Sequence, residues 1–202
     1  MARIKPYLLS LCLLLCGVSA YSQQQNDPAY QKVIADRARK IVLPLKLKDS
    51  IVARKVGDII SAQYLSLNQI YENRDSKGIQ YTDSAIQRLH ADYLAKLDVY
   101  LSNKEIVKVK DGMTYGVLPI TYAAYQDMLP KLTQAQKSQI LSWLTEAREK
   151  AMDAESSEKK HAMFKKYKGR INNYLSAAGI DMKKEGEAWQ QRIKEKAAQS
   201  TH

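Results

Sequence analysis

The chain has 202 residues, 45% of them hydrophobic, and a formal net charge of +11 at pH 7. That length supports one sizeable apolar core and is short for two. Both cysteines, Cys12 and Cys16, lie near the N-terminus, which excludes a disulfide framework or a thiolate site from the rest of the chain.

Arg3 and Lys5, with no acid beside them, precede the apolar run Leu8 to Ala20. The run is shorter than the roughly 20 residues a membrane-spanning helix needs, so residues 1–22 are expected to be a cleavable export signal. Val18-Ser19-Ala20 and Ala20-Tyr21-Ser22 both offer small residues at a cleavage site, and the second, which would leave Gln23 first, is preferred. A leucine precedes each cysteine where lipoprotein processing needs a small residue, so no lipid anchor is expected. Removing the signal takes away two cations and no acid, and +11 falls to +9. Residues 23–202 are then expected to form a single helical domain, periplasmic or extracellular, with no membrane span. Such a protein meets no cytoplasmic nucleic acid, so its basicity either serves solubility or suits acidic polymers and anionic surfaces.

Asp27-Pro28 opens the first predicted helix with a capping carboxylate and a proline at the first helical position. It fades near Val42, where Leu43-Pro44-Leu45 interrupts. A second runs from Asp49 to about Asp75, with Val52, Val56, Ile59, Ile60, Leu67, Ile70 and Tyr71 at helical spacing, and Gly78 ends it. Thr82 or Asp83 is expected to cap a third, whose stripe is Ile86, Leu89, Tyr93, Leu97 and Tyr100. A fourth spans Ser102 to Gly112. The stretch from Gly112 to Pro119 is irregular, and a short helix follows to Met128. Long helices are predicted over Thr133–Asp153 and Ser157–Ala178, then a last one from Asp181 toward Lys196. Ile106–Val109 and Tyr115–Ile120 alternate weakly but lack partners for a sheet. The expected fold class is all-α, an array of about six to eight helices.

Leu101-Ser102-Asn103-Lys104-Glu105 and Leu132-Thr133-Gln134-Ala135-Gln136 share one pattern, a leucine before a capping box. The second resembles the LTxxQ motif of small periplasmic helical proteins, including a chaperone. As a helix cap it needs no such explanation.

No strong catalytic signature occurs. His90, His161 and His202 lack metal-ligand spacing, and His90 reads as a satisfied, half-buried histidine, so neither metal nor cofactor is expected. There is no nucleophile elbow and no phosphate-cradling loop. Carboxylate pairs for glycoside hydrolysis are set by separation in space, so the 21 acids nominate none.

The most unusual segment is Lys165 to Tyr174. Phe164, Tyr167, Ile171, Tyr174 and Ala178 form its buried face, while Lys166, Arg170 and Asn173 line one border with donors suited to hydroxyls and carboxylates. Gly169 in mid-helix costs about 1 kcal/mol against alanine, which raises the expectation of a close approach to the backbone there. The segment Asp111-Gly112-Met113-Thr114-Tyr115-Gly116-Val117-Leu118-Pro119, with Ala147-Arg148-Glu149-Lys150-Ala151-Met152-Asp153 and Lys166 to Leu175, resembles a family of exported Bacteroidota proteins of unknown function. That family is described as sugar-binding and occurs among genes for polysaccharide breakdown, including that of pectin. The resemblance implies a part in glycan utilisation and brings no catalytic residues.

The first expectation is therefore a protein that binds acidic, pectin-like oligosaccharides. Its expected ligand-binding residues are Lys166, Arg170, Asn173, Tyr174, Asp111, Thr114 and Tyr115. Lys166 and Arg170 would pair with carboxylates, Asn173 and Thr114 with hydroxyls, and Tyr115 would stack on a sugar face. The Gly112–Pro119 stretch is expected to meet the Lys166–Tyr174 helix in one pocket. A chaperone-like interaction protein is the second expectation, and a lyase or hydrolase of acidic sugars the third.

Overall fold

The computed structural model describes residues 27–199. The expected export signal and His202 lie outside the described residues. Within them 84% of residues are helical and there is no strand. The helices are α1 (Pro28–Val42), α2 (Ser50–Glu72), α3 (Arg74–Lys77), α4 (Ile79–Asp98), α5 (Asn103–Met113), α6 (Val117–Met128), α7 (Gln134–Met152), α8 (Ser157–Ala177) and α9 (Met182–Gln199), with a 3₁₀ turn at Leu43–Leu45.

Among the described residues nine helices stand where six to eight were expected because the second predicted helix breaks at Asn73, and its tail becomes the single turn α3. The expected cap at Thr82 or Asp83 is also corrected. Helix α4 starts after Gly78, which is at φ 83°, and Thr82 is buried inside it with its hydroxyl donating to the Gly78 carbonyl at 3.0 Å. Both weakly alternating segments belong largely to α5 and α6.

Local chemistry explains most helix starts. The Asp27 carboxylate accepts from the Ala29 amide at 2.9 Å and Asp49 accepts from Ile51 at 2.7 Å. Both capping boxes form: the amide of Ser102 donates to Glu105 and that of Thr133 to Gln136, each at 2.9 Å. The LTxxQ-like segment thus acts as a helix start, as a capping box does. Leu132 packs into the core behind it.

Two apolar clusters hold the helices. Val56, Ile60, Tyr93, Leu97, Leu101 and Val109 are among the residues joining α1, α2, α4 and α5. Ile140, Leu144, Phe164, Tyr167, Ile171 and Leu175 are the centre of the cluster that joins α6, α7 and α8. Met152, at the end of α7, belongs to the first cluster and ties the two together. Gly112 permits this arrangement, because a Cβ there would stand 3.0 Å from Cγ2 of Ile41 on α1.

Candidate functional site

Where α7 crosses the first cluster the packing turns ionic. Arg148 is only 6% exposed and its guanidinium donates to Asp111 of α5 at 2.9 Å and to Glu149 at 3.1 Å. Lys110 donates to the other oxygen of Glu149 at 2.7 Å. One turn on, Asp153 shares a 2.6 Å hydrogen bond with Nδ1 of His90 from α4, and Nε2 of His90 lies 3.8 Å from Glu149. The Tyr71 hydroxyl donates to the Asp153 carbonyl at 2.7 Å. Lys160 is 5% exposed; its ammonium donates to the Met152 carbonyl at 2.7 Å and faces the Tyr64 ring at 5.8 Å. Every buried side-chain nitrogen and oxygen among the described residues has a partner, so this is a satisfied network, the form in which buried charge is tolerated.

The seam shifts its titrating groups. The Asp153 hydrogen bond, helped by the charges of Asp153 and Glu149, holds the His90 pKa above 6.5 against the opposing effects of burial and Lys110. Burial lowers the Lys160 pKa to about 8 and raises the Tyr64 and Tyr71 hydroxyls to about 12. Because His90 binds its proton more tightly in the folded chain, its contribution is full below the unfolded value near 6.5 and is lost as pH rises through the folded value. Urea midpoints measured upward from pH 6 should therefore fall for the native chain relative to His90→Gln. Parallel curves would show that His90 is not linked to folding.

Helix α8 presents the other notable surface. Between Lys159 and Leu175 it carries six Lys or Arg residues and no acid, and all of these cations except Lys160 are exposed. Arg170 lies over the Trp143 ring of α7 at 4.5 Å and 3.8 Å from Glu146, while Tyr174 meets Trp143 edge-on at 5.3 Å. At the other end Tyr115 stacks on His161 with ring centroids 5.2 Å apart. Tyr115 has φ 58° and the following Gly116 φ 67°. The left-handed region is costly for a bulky non-glycine residue, yet here it presents the ring at the surface, 49% exposed.

Several expectations about the site need correction. Thr114 is fully buried and its hydroxyl donates to the Lys110 carbonyl at 2.9 Å, so it serves the end of α5 and offers nothing to a ligand. Asp111 is spent on Arg148. Tyr115 reaches α8 at His161, nine residues before Arg170. Nine residues are two and a half helical turns, so the Gly112–Pro119 stretch and the Lys166–Arg170–Asn173 border lie on opposite sides of α8 and share no pocket. Two hollows lie elsewhere, about 460 Å³ between α1 and α2 and about 570 Å³ between α6 and α9.

No part of the chain itself approaches Gly169 closely, since a Cβ there would meet nothing within 4 Å. Gly169→Ala is accordingly expected to raise stability by about 0.5–1 kcal/mol, read as a higher denaturation midpoint. A lower midpoint would mean that the position needs glycine's backbone freedom.

Lys166 and Asn173 are exposed as expected and Tyr174 is partly buried. Asp153, Lys160, Trp143 and His161 were not among the expected site residues. Two of the three segments that carried the family resemblance nevertheless meet in the seam, through Asp111 and Arg148. Lys150 of the second reaches Tyr167 of the third at 2.9 Å.

Comparison with known proteins gives one assignment. No curated protein matches the chain. A family model described as protein of unknown function (DUF3826) matches residues 31–81 and 76–195, which takes in all three segments. The chain belongs to the DUF3826 family of proteins of unknown function.

Proposed function

We propose that the protein is exported and binds acidic glycan fragments on the outer face of α8. The observation that carries this is the cationic stretch of α8, which holds no acid of its own between Lys159 and Leu175, with Arg170 over the Trp143 ring, Tyr174 against that ring and Gly169 beside them. Sugars with carboxylates need cations for charge, amides for hydroxyls and rings for their apolar faces. Lys166 and Arg170 supply the first, Asn173 the second, and Tyr174 with Trp143 the third. Gly169 keeps the middle of the face low, so a chain lying across the helix meets backbone there and no side chain.

Calorimetry with galacturonate oligomers tests this. Binding is expected at low salt and should weaken as salt is added, because exposed charges are screened beyond about 10 Å at 0.1 M. Arg170→Ala and Gly169→Leu should each weaken it about fivefold or more, the first leaving the thermal midpoint close to that of the native chain and the second raising it slightly. No heat across acidic and neutral oligomers would end the proposal, and protection of an unfolded client without sugar competition would favour the chaperone-like alternative.

The paired His90 and Asp153, together with the depressed Lys160 amine, favour a further alternative, acid–base chemistry on acidic sugars. Release of unsaturated or shortened products, abolished in His90→Gln, would establish it in place of simple binding.

A further inference from the structure

We infer that the elbow between α1 and α2 docks on an anionic lipid surface. It stands apart from the α8 face and rests on different residues. Residues 37–55 hold seven Lys or Arg and a single acid, a density well above the chain's 32 in 202. The one acid, Asp49, is committed to the start of α2 through bonds from the Ile51 and Val52 amides at 2.7 and 3.3 Å. Lys40, Lys46, Lys48, Arg54 and Lys55 are all exposed. None of these five forms an ion pair among the described residues.

Within this ring of charge two large apolar side chains face water, Leu43 at 68% and Ile51 at 59% exposure. Leu43 also lines the hollow of about 460 Å³ between the helices, with Val42, Leu47, Arg54 and Gly57 around it and the carboxylate of Asp58 at its α2 side, outnumbered by the cations of the elbow. The hollow exists because the facing positions Ala35, Ala38, Ala53, Gly57 and Ser61 are small. Lys46, on its rim, is held at φ 55°, a conformation uncommon for a non-glycine residue and one that marks functional segments when it persists.

Cations around an apolar tip are the signature of a peripheral membrane contact, with the apolar side chains entering the interface while Lys and Arg meet lipid phosphates. A soluble polyanion would satisfy the charges and leave Leu43, Ile51 and the hollow without a partner. A bilayer satisfies both. No helix among the described residues is long and apolar enough to cross a membrane, so the contact is with the surface, and it would hold a glycan-binding face near the membrane without inserting the fold.

Co-sedimentation of the chain from Gln23, which keeps every described helix, with vesicles of phosphatidylglycerol and phosphatidylcholine in equal parts tests this. Binding is expected to these vesicles and not to pure phosphatidylcholine, and to fall with salt. Each cation facing an anionic surface contributes roughly fivefold to partition, so Lys46→Glu with Arg54→Glu should reduce binding at least tenfold, and Leu43→Ser with Ile51→Ser should do the same. All four side chains are exposed, and an unchanged circular dichroism midpoint confirms folding. Equal binding by the Leu43→Ser, Ile51→Ser variant would overturn the inference and leave a plain polyanion site, as would full competition by soluble polygalacturonate. Loss of vesicle binding in Lys166→Gln, Arg170→Gln would also overturn it, by placing the contact on α8, whereas a failure to bind glycans would leave it intact.

Discussion

Replacing Lys160 with methionine is expected to stabilise the folded chain by about 2 kcal/mol at pH 7. Burial lowers the pKa of Lys160 from 10.5 to about 8, which corresponds to about 3 kcal/mol of penalty for keeping the buried amine charged below that pH. The bond it donates to the Met152 carbonyl returns about 1 kcal/mol of that. The sign follows from proton counting. Between pH 8 and 10.5 the unfolded chain holds the Lys160 proton and the folded chain has released it, so stability rises with pH across that window and the penalty is constant below it. Lys160→Met should lose this rise as well as gain stability at neutral pH, both read from urea unfolding at several pH values. A methionine variant less stable than the native chain at pH 7 would mean that the bond to Met152 outweighs the cost of burial. A residue that lowers stability beside a seam of paired charges is what a working site would retain.

Arg148→Ala is expected to act in the opposite direction, lowering stability by about 3 kcal/mol. The guanidinium is nearly inaccessible and bridges Asp111 on α5 to Glu149 on α7, so its removal leaves Asp111 without its partner and Glu149 with only Lys110 and His90. Its buried stem is lost as well. Arg148→Lys should fall between, because one ammonium does not reproduce the planar fork that holds both acids. Urea unfolding of the three chains decides it, and an alanine variant within 1 kcal/mol of native would show that the bridge adds little to folding.

The helices were legible in the sequence because their signals are local. Asp27-Pro28, the two capping boxes and the stripe through Phe164, Tyr167 and Ile171 each announce themselves within a few residues, and the structure has all of them. The start of α4 was not legible because Gly78 takes the cap position while Thr82 and Asp83 look like better caps; the hydroxyl of Thr82 turns back to Gly78.

The exposed half of the candidate site was visible for the same reason: Lys166, Arg170 and Asn173 sit at helical spacing. The buried seam was not. Glu149 and Asp153 show the i, i+4 spacing of one helix face, but the partner that gives them meaning, His90, lies 63 residues before Asp153. Lys160 was hidden among other lysines, and only packing against Tyr64 and Met152 distinguishes it. The mistake over Thr114 has the same origin, since a hydroxyl beside glycines looks available until the helix end that buries it is known.

The most direct test of glycan binding on α8 is a titration of isotope-labelled protein with galacturonate oligomers, followed by nuclear magnetic resonance of the side chains. Saturable shifts are expected at the rings of Trp143 and Tyr174 and at the Asn173 amide, with little change at Leu43 and Ile51 on the α1–α2 elbow. Saturable shifts confined to residues away from α8, or no shifts at all up to millimolar oligomer, would contradict it.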